Sequence, residues 1–189
     1  MALNSPLRVE DQDKLGELIV YISQKSANDP RFGSTKLNKL LYFSDFFAYG
    51  NFGTAITSAA YRHLKNGPAP RHLEEVRNTL VNSGAIEIQY REFKNGRRQT
   101  RTVALRNPVL TKFSDDERLL IDEIIARHWD RTADEISDAS HNYVGWKMTK
   151  EGETIPYGSI FLSDVPLTTE EIYRGQELAK QDKRWMAVA

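Results

Sequence analysis

Three capping boxes fix where helices start in the second half of this 189-residue chain. The boxes pair Ser114 with Glu117, Thr132 with Glu135 and Thr168 with Glu171. In such a box the hydroxyl and the carboxylate bond to two backbone N–H groups that a helix start leaves without partners. The sequence therefore predicts a helix from 114, a second from 132 to about 140, and a third from 168 toward 184.

Apolar spacing predicts three further helices, over residues 11–26, 34–49 and 71–82. We expect Gly50 to end the second of these and Gly84 to cap the third in the left-handed conformation. In the first helix and in the one from 114, the side chains expected to face the core are Leu15, Leu18, Ile19, Ile22, Leu119, Leu120, Ile124 and Ile125. The sequence thus predicts six helices in total.

One β-hairpin is predicted over residues 85–105, with its turn at 94–98. Ile86, Ile88 and Tyr90 alternate with polar residues, so we expect one face of the hairpin to be buried. A short strand from Ala59 is expected to end at the Gly67-Pro68 turn. The predicted fold class is α+β, mainly α-helical: about six helices with a small antiparallel sheet that includes the winged-helix-like hairpin.

Composition limits the class of protein. The chain has 26 basic and 26 acidic residues, 40% hydrophobic residues and no cysteine, which is typical of a soluble globular protein. We expect residues 1–167 to form a single helical domain, with a C-terminal helix at 168–189 packed on it or extending from it. The absence of cysteine excludes thiolate zinc sites and fits the cytoplasm. The longest apolar run, residues 18–22, is too short for a membrane span.

Charge is unevenly distributed along the chain. Residues 62–106 carry ten basic and four acidic side chains, whereas residues 107–189 carry ten and sixteen. The hairpin could lie on nucleic acid phosphates through Lys94, Arg97, Arg98 and Arg101. The alternative is a solvated hairpin whose charges prevent edge-to-edge aggregation. Acidic residues at the start of the preceding helix and the neutral total charge weigh against nucleic-acid binding.

Motifs of catalysis are missing from the sequence: there is no phosphate-binding glycine loop, no nucleophile elbow and no pair of histidines at metal-binding spacing. The four histidines, at positions 63, 72, 128 and 141, lie on separate predicted elements. We therefore expect no catalytic residues, no metal and no cofactor. The aromatic loop 141–147 suits an interface anchor, although Trp146 could instead fill the core.

Four stretches, in this order, resemble the Panacea domain of the SocA-like antitoxin family of bacteria and phages. They are Lys36-Leu-Asn-Lys-Leu-Leu-Tyr42-Phe-Ser, Tyr61-Arg-His-Leu-Lys-Asn-Gly67-Pro68, the helix that starts at Ser114-Asp-Asp-Glu117, and Ser140-His141 through Trp146-Lys147. The resemblance covers about residues 11–165. Each stretch alone is weak evidence, but the ordered set is more specific.

The resemblance implies a cytoplasmic antitoxin that is encoded beside its toxin and neutralises it by direct protein contact. One family member instead delivers its toxin to a cytosolic AAA+ protease, so binding alone and proteolytic delivery are both open. Family domains pair with unrelated toxins, so the fold does not name the target. The predicted partner-binding residues are Tyr61, Arg62, His63, Lys65, Gly67, Pro68, His141, Tyr143, Trp146 and Lys147.

Overall fold

Helix α2 is the centre of the fold in the computed structural model, which describes residues 10–92, 96 and 98–181. Around it, the described residues form six further helices and two antiparallel strand pairs. The helices are α1 Gln12–Lys25, α2 Ser34–Phe52, α3 Leu73–Asn82, α4 Asp115–Arg127, α5 Ala133–His141, α6 Val144–Lys147 and α7 Thr169–Gln181. The strands are β1 Tyr61–Arg62, β2 Ala69–Pro70, β3 Ile86–Glu92 and β4 Arg98–Ala104. The predicted mainly helical α+β class is confirmed.

Helix α2 is buried on nearly all sides and not along one stripe. It contacts α1, α4, α5, strands β2 and β4, and the 3-10 turn Tyr157–Phe161. Its fully buried apolar residues are Leu37, Leu40, Leu41, Tyr42, Phe43, Phe46 and Ala48. A helix that is buried on nearly all sides lies in the middle of a core.

The predicted end of α2 at Gly50 is wrong. The helix continues to Phe52 and ends at Gly53, which has a φ of 75°. Gly50 lies where Ile160 of the 3-10 turn approaches, because a Cβ there would be 3.5 Å from the Ile160 side chain. Gly50 therefore allows close packing inside a helix and does not stop it.

The capping boxes predicted from sequence are confirmed. At Ser114 and at Thr132 the hydroxyl accepts a bond from the third helical N–H, and the glutamate accepts one from the cap N–H. Helix α4 then buries Ile121, Ile124 and Ile125, whereas Leu119 is 69% exposed. The prediction that Leu119 faces the core is wrong, because the three isoleucines share a helical face and Leu119 lies outside it.

The predicted hairpin is confirmed as β3 and β4, paired from Ile86 opposite Ala104 to Glu92 opposite Arg98. Its base is buried at Ile86 and Thr102, but Tyr90 is 74% exposed. The prediction of a face buried as far as Tyr90 is wrong, since the outer half of the hairpin extends beyond the core.

Strands β1 and β2 pair antiparallel, with Tyr61 opposite Pro70, and the turn between them carries Gly67. A third segment lies along β1: the His63 N–H donates to the Glu153 carbonyl at 2.9 Å, and the Ile155 N–H donates to the Tyr61 carbonyl at 2.8 Å. The expected loop 141–147 contains a short helix, α6, because its backbone closes helical bonds from Tyr143 to Lys147. The structure thus brings residues 61–70 beside residues 144–155.

Helix α7 and the segment before it expose apolar side chains. Within α7, the described side chains are exposed apart from a half-buried Glu177. Val165, Leu167, Ile172, Tyr173 and Leu178 are all at least 45% exposed. The division of the chain at residue 168 stays a prediction. None of the helices in the described part of the chain is long and apolar enough to cross a membrane.

Arg101 joins the hairpin to the connection between α1 and α2. Its guanidinium donates to the Asp29 carbonyl at 2.9 Å, to the Ser26 carbonyl at 3.1 Å and to the Ala27 carbonyl. Carbonyl groups at the end of a helix carry partial negative charge, so a cation stabilises them. Arg101 is therefore part of the structural framework.

We predict that Arg101→Met lowers the free energy of unfolding by about 2 kcal/mol, because it removes bonds from a charged donor to several carbonyls. Arg98→Met is the matched control on the same strand. Arg98 forms an ion pair with Glu92 in which the two side chains are 75% and 68% exposed, and such pairs contribute about 0–1 kcal/mol. Urea unfolding measures both variants, and equal losses would contradict the structural role of Arg101.

Candidate functional site

Trp146 lies between two histidine rings. The His63 ring stacks on Trp146 with centroids 4.3 Å apart and planes at 17°, and the His141 ring does so at 3.9 Å and 19°. His63 follows β1, His141 ends α5 and Trp146 belongs to α6. The structure thus brings together the two segments that the sequence predicted for partner binding. We call this arrangement the His63–Trp146–His141 stack.

One histidine of the stack is fixed by hydrogen bonds, and the other is not. Nδ1 of His63 lies 3.1 Å from the Trp146 carbonyl and 3.1 Å from Oγ1 of Thr149. In contrast, Nε2 of His141 and Nε1 of Trp146 are buried and have no hydrogen-bond partner among the described residues. Burial, together with the charge of Lys39, lowers the pKa of His141. These effects favour the neutral form of His141.

Lys39 of α2 lies close to Ser140, the residue before His141, and only 1% of its surface is exposed. Its Nζ donates to the Pro68 carbonyl at 3.1 Å. Among the described residues, no carboxylate lies within ion-pair distance of this ammonium group. Burial lowers the pKa of Lys39 from 10.5 to about 7. An unpaired buried ammonium is costly, so this side chain calls for an explanation.

Gly67 lets the β1–β2 turn close over Lys39. Its φ is 89°, a conformation that favours glycine. A Cβ at this position would lie 2.6 Å from Cε of Lys39, 2.6 Å from Oγ of Ser140 and 2.9 Å from Nζ of Lys39. The turn, α2 and the end of α5 therefore meet at Gly67 without room for a side chain.

Lys36, one turn before Lys39, shows how this helix buries a cation that has a counter-charge. Its Nζ lies 2.7 Å from Oδ2 of Asp29, and the two side chains are 1% and 2% exposed. The same Nζ donates to the His128 carbonyl at 3.1 Å. The two lysines are thus equally buried, but Lys36 has a carboxylate as its counter-charge and Lys39 has a carbonyl as its only partner among the described residues.

Asp45 holds β1 against α2. Its carboxylate accepts bonds from the Thr57 N–H at 2.7 Å, the Thr57 hydroxyl at 2.5 Å and the Tyr61 hydroxyl at 2.7 Å. Burial raises the pKa of Asp45 to about 6, and these bonds act in the opposite direction. Because β1 leads directly to His63, this network positions one side of the stack.

Three of the predicted partner-binding residues, Tyr61, Gly67 and Pro68, are buried and hold the site in place. Arg62, His63, His141, Tyr143 and Trp146 are half-buried, and Lys65 and Lys147 are exposed.

Two of the less buried candidates also have partners inside the molecule. Tyr143 packs against the rings of Tyr42 and Phe43, at centroid distances of 6.3 and 5.9 Å. Lys147 forms an ion pair with Asp164. Tyr143 therefore faces the core more than the surface, and Lys147 ties α6 to the segment that follows the 3-10 turn.

Sequence reasoning missed three residues of this region. Leu64 is 39% exposed and Met148 is 73% exposed beside the stack. Lys39 lies within the first of the four motif stretches, but it is not among the predicted site residues. The available signal was a lysine next to Leu40 and Leu41, where the apolar run of this helix begins.

The basic hairpin residues of the alternative hypothesis are found in different settings. Lys94 and Arg97 lie outside the described residues. Arg98 is exposed and paired with Glu92, and Arg101 is bound to carbonyls of the α1–α2 connection. Arg101, one of the four residues predicted to contact phosphate, thus has a structural role.

The other two histidines, His128 and His72, lie outside the stack. His128 stacks on Phe43 with centroids 4.9 Å apart, and burial lowers its pKa to about 4. His72 lies 2.9 Å from Glu75 on the surface. In the part of the chain that the structure describes, no three histidine, aspartate or glutamate side chains converge as metal ligands would.

Comparison with known families gives a match to the SocA-like antitoxin, Panacea domain, over residues 37–147. The matched range is more than half of the chain. The protein belongs to this family. The matched range contains Lys39, the Gly67–Pro68 turn and the whole stack, so the site of this Panacea domain lies within the region that defines the family. Searches of curated proteins and of solved structures each found no match.

We predict opposite effects of removing the two buried lysines of this Panacea domain at neutral pH. Lys36→Met leaves Asp29 buried without its counter-charge and should cost about 3–5 kcal/mol. Lys39→Met removes a charge that has no counter-charge, so the variant should be at least as stable as the wild type. Chemical unfolding at pH 7 compares them, and a large loss in Lys39→Met would contradict this account.

The stability difference between wild type and Lys39→Met should also depend on pH. With a pKa of about 7 in the folded chain and 10.5 ordinarily, the unfolded state binds more protons between these values, so wild-type stability rises with pH across this window. Lys39→Met lacks this rise. Unfolding curves from pH 6 to pH 10 measure the difference, and parallel curves for the two proteins would refute it.

Gly67→Ala and Gly84→Ala form a matched pair of variants that tests the crowding at the β1–β2 turn. Both have positive φ, 89° and 70°, but a Cβ at Gly84 would meet nothing within 4 Å. Each change to alanine should cost about 1–2 kcal/mol of backbone strain. Gly67→Ala should lose a further 1–3 kcal/mol or so, because its methyl group overlaps Lys39 and Ser140. Thermal unfolding tests this, and equal losses would show that the turn is not crowded.

Proposed function

We propose that this protein is an antitoxin that neutralises a protein toxin by direct contact and without covalent chemistry. The observation that carries the proposal is the family match over residues 37–147, which includes every residue of the His63–Trp146–His141 stack. The partner we propose is the toxin encoded beside the antitoxin, in the cytoplasm. The proposal concerns the mode of action and not the identity of the toxin.

The contact surface that we propose surrounds the stack. It combines half-buried aromatic rings with an exposed rim, formed by His63, Leu64, Lys65, His141, Trp146, Lys147 and Met148. Large rings that are held in place by their neighbours lose little conformational entropy on binding. Anchors of this type, surrounded by polar residues, carry much of the energy in protein interfaces.

A non-enzymatic role agrees with the way in which buried titratable groups are used. Asp45 accepts three hydrogen bonds that hold β1, and Lys36 is neutralised by Asp29. His128 packs on Phe43. Each of these groups has a structural partner, and none converges with another as a nucleophile and its base do in a catalytic site.

Protein binding is favoured over nucleic-acid binding by the position of Arg101. A phosphate-binding hairpin needs cations that are free to reach the backbone of the nucleic acid. Arg101 donates to carbonyls of the α1–α2 connection. The site around Trp146 instead offers aromatic surface of the kind found in protein interfaces.

The test is co-expression with the product of the neighbouring gene. We expect the wild-type chain to protect cells from that product and to co-purify with it. Met148→Glu should reduce the affinity of the complex by about tenfold or more, because it places a charge at the rim of the proposed interface. The matched control is Leu119→Glu, since Leu119 is 69% exposed and Met148 is 73% exposed.

The control and the fate of the toxin complete this test. Leu119 lies on α4, outside the stack, so Leu119→Glu should leave protection and co-purification unchanged. A toxin that stays lethal, with no complex formed, would rule out the proposal. Toxin levels, followed with and without the cytosolic AAA+ proteases of the host, separate binding alone from proteolytic delivery.

A further inference from the structure

We propose that the His63–Trp146–His141 stack binds a carboxylate, supplied by an aspartate or glutamate side chain of the toxin. The carboxylate would lie against His141 and Trp146, above Lys39. This inference rests on the proposed function, because it assigns the chemistry of the partner group to a protein toxin. Three observations on the described residues carry it.

The first observation is the missing counter-charge of Lys39. An ammonium group has three donors, and the Pro68 carbonyl accepts one of them at 3.1 Å. The ion pair of Lys36 with Asp29 shows that α2 can bury a lysine with a full counter-charge. Burial of a charge without a counter-charge is unfavourable. A carboxylate that docks above Lys39 would supply the missing charge.

The second observation is the pair of nitrogen atoms without acceptors. Nε1 of Trp146 is a donor only, and Nε2 of His141 donates in one tautomer. Both atoms are buried and have no partner among the described residues, and their rings are stacked 3.9 Å apart. An unsatisfied buried polar group destabilises the folded chain. A carboxylate has two acceptor oxygens, which matches the number of unpartnered donors.

The third observation is the sign of the local charge. The charged and titratable groups on the elements around the stack are Lys39 from α2, His141 and Asp138 from α5, Arg62, His63 and Lys65 from β1 and the β1–β2 turn, Lys147 with its partner Asp164, and Lys150, Glu151 and Glu153 from the segment paired with β1. Asp138 raises the pKa of His141, whereas Lys39 and His63 lower it. Lys147 is neutralised by Asp164. When Lys39 is protonated, the cations outside the Lys147–Asp164 pair outnumber the acids, which favours an anionic ligand.

Binding should therefore be coupled to the protonation of Lys39. Burial holds the pKa of Lys39 at about 7, so part of the population is neutral at pH 8. A carboxylate nearby favours the ammonium form, and the complex takes up a proton. Affinity should be highest below pH 7 and should fall as the pH rises above 7. The pKa of His141 is lowered below 6.5, so its protonation would change the affinity only at more acidic pH. Its effect can therefore be separated from that of Lys39.

The first experiment needs no toxin and uses acetate as the probe. The chain has three tryptophans, so the full-length Trp129→Phe, Trp185→Phe double variant leaves Trp146 as the only tryptophan. We expect acetate to change the fluorescence of Trp146 in a saturable manner at constant ionic strength, and acetamide to have no effect. The response should weaken as the pH is raised from about 6.5 to about 9.

Two lysine variants in this background provide the control. Lys39→Met should abolish the acetate response, whereas Lys25→Met should keep it, because the Lys25 side chain is 46% exposed and pairs with Asp122. A check of folding by circular dichroism accompanies both. No response to acetate in the starting protein, or an equal response in Lys39→Met, would overturn the proposal.

The second experiment identifies the source of the carboxylate. Lys39→Met is co-expressed with the product of the neighbouring gene, and the affinity of the complex is compared with that of the wild type. A loss of about tenfold or more supports a carboxylate of the toxin. Unchanged affinity, together with a lost acetate response, would mean that the site takes a free carboxylate and would overturn the assignment to the toxin.

The two experiments also separate this inference from the proposed function. If the wild-type chain forms no complex with the neighbouring product, the antitoxin proposal fails and the assignment to a toxin fails with it. The acetate titration still decides whether the stack binds carboxylates. If acetate has no effect but the complex forms, the antitoxin proposal stands and the carboxylate site is refuted.

Discussion

A helix enclosed on all sides must find an interior partner for every charged side chain that it carries. Helix α2 buries three of them, and each is handled differently: Lys36 pairs with Asp29, Asp45 accepts bonds from Thr57 and Tyr61, and Lys39 donates to Pro68. Asp29, Thr57 and Pro68 lie on connections between elements, and Tyr61 lies in β1. The buried charges of α2 therefore decide where the turn before α2, the segment after it and the β1–β2 turn lie, and the rest of the domain is arranged around them.

The elements that the sequence predicted well are those whose interactions are local. A capping box depends on two residues that are three positions apart, so Ser114 with Glu117 could be found without knowledge of the fold. Gly50 and Leu119 were misjudged because their roles depend on distant residues. Gly50 makes room for Ile160, and Leu119 lies outside a face that α4 turns toward the core. Neither relation is visible in a local window of sequence.

The candidate site could be predicted in part, for the same reason. The motifs identified the segments that carry His63 and Trp146, but their rings are more than eighty positions apart in the chain and meet only through the pairing of β1 with residues 152–155. The burial of Lys39 could not be predicted, since it depends on a turn closed by Gly67 and on the end of α5. Tyr61, Gly67 and Pro68 were predicted to lie on the surface, but they are buried. Their burial results from long-range packing and not from their residue types.

The enclosure of α2 also has a consequence for the dynamics of the backbone. Its amide protons are surrounded by α1, α4, α5 and the 3-10 turn, so they reach solvent when this shell opens as a whole. Those of α7, whose described side chains are largely exposed, can exchange by local fraying. Hydrogen–deuterium exchange would therefore divide the molecule in two: a slow interior whose rates measure the global stability, and a fast C-terminal helix whose protection depends on what else is bound to it.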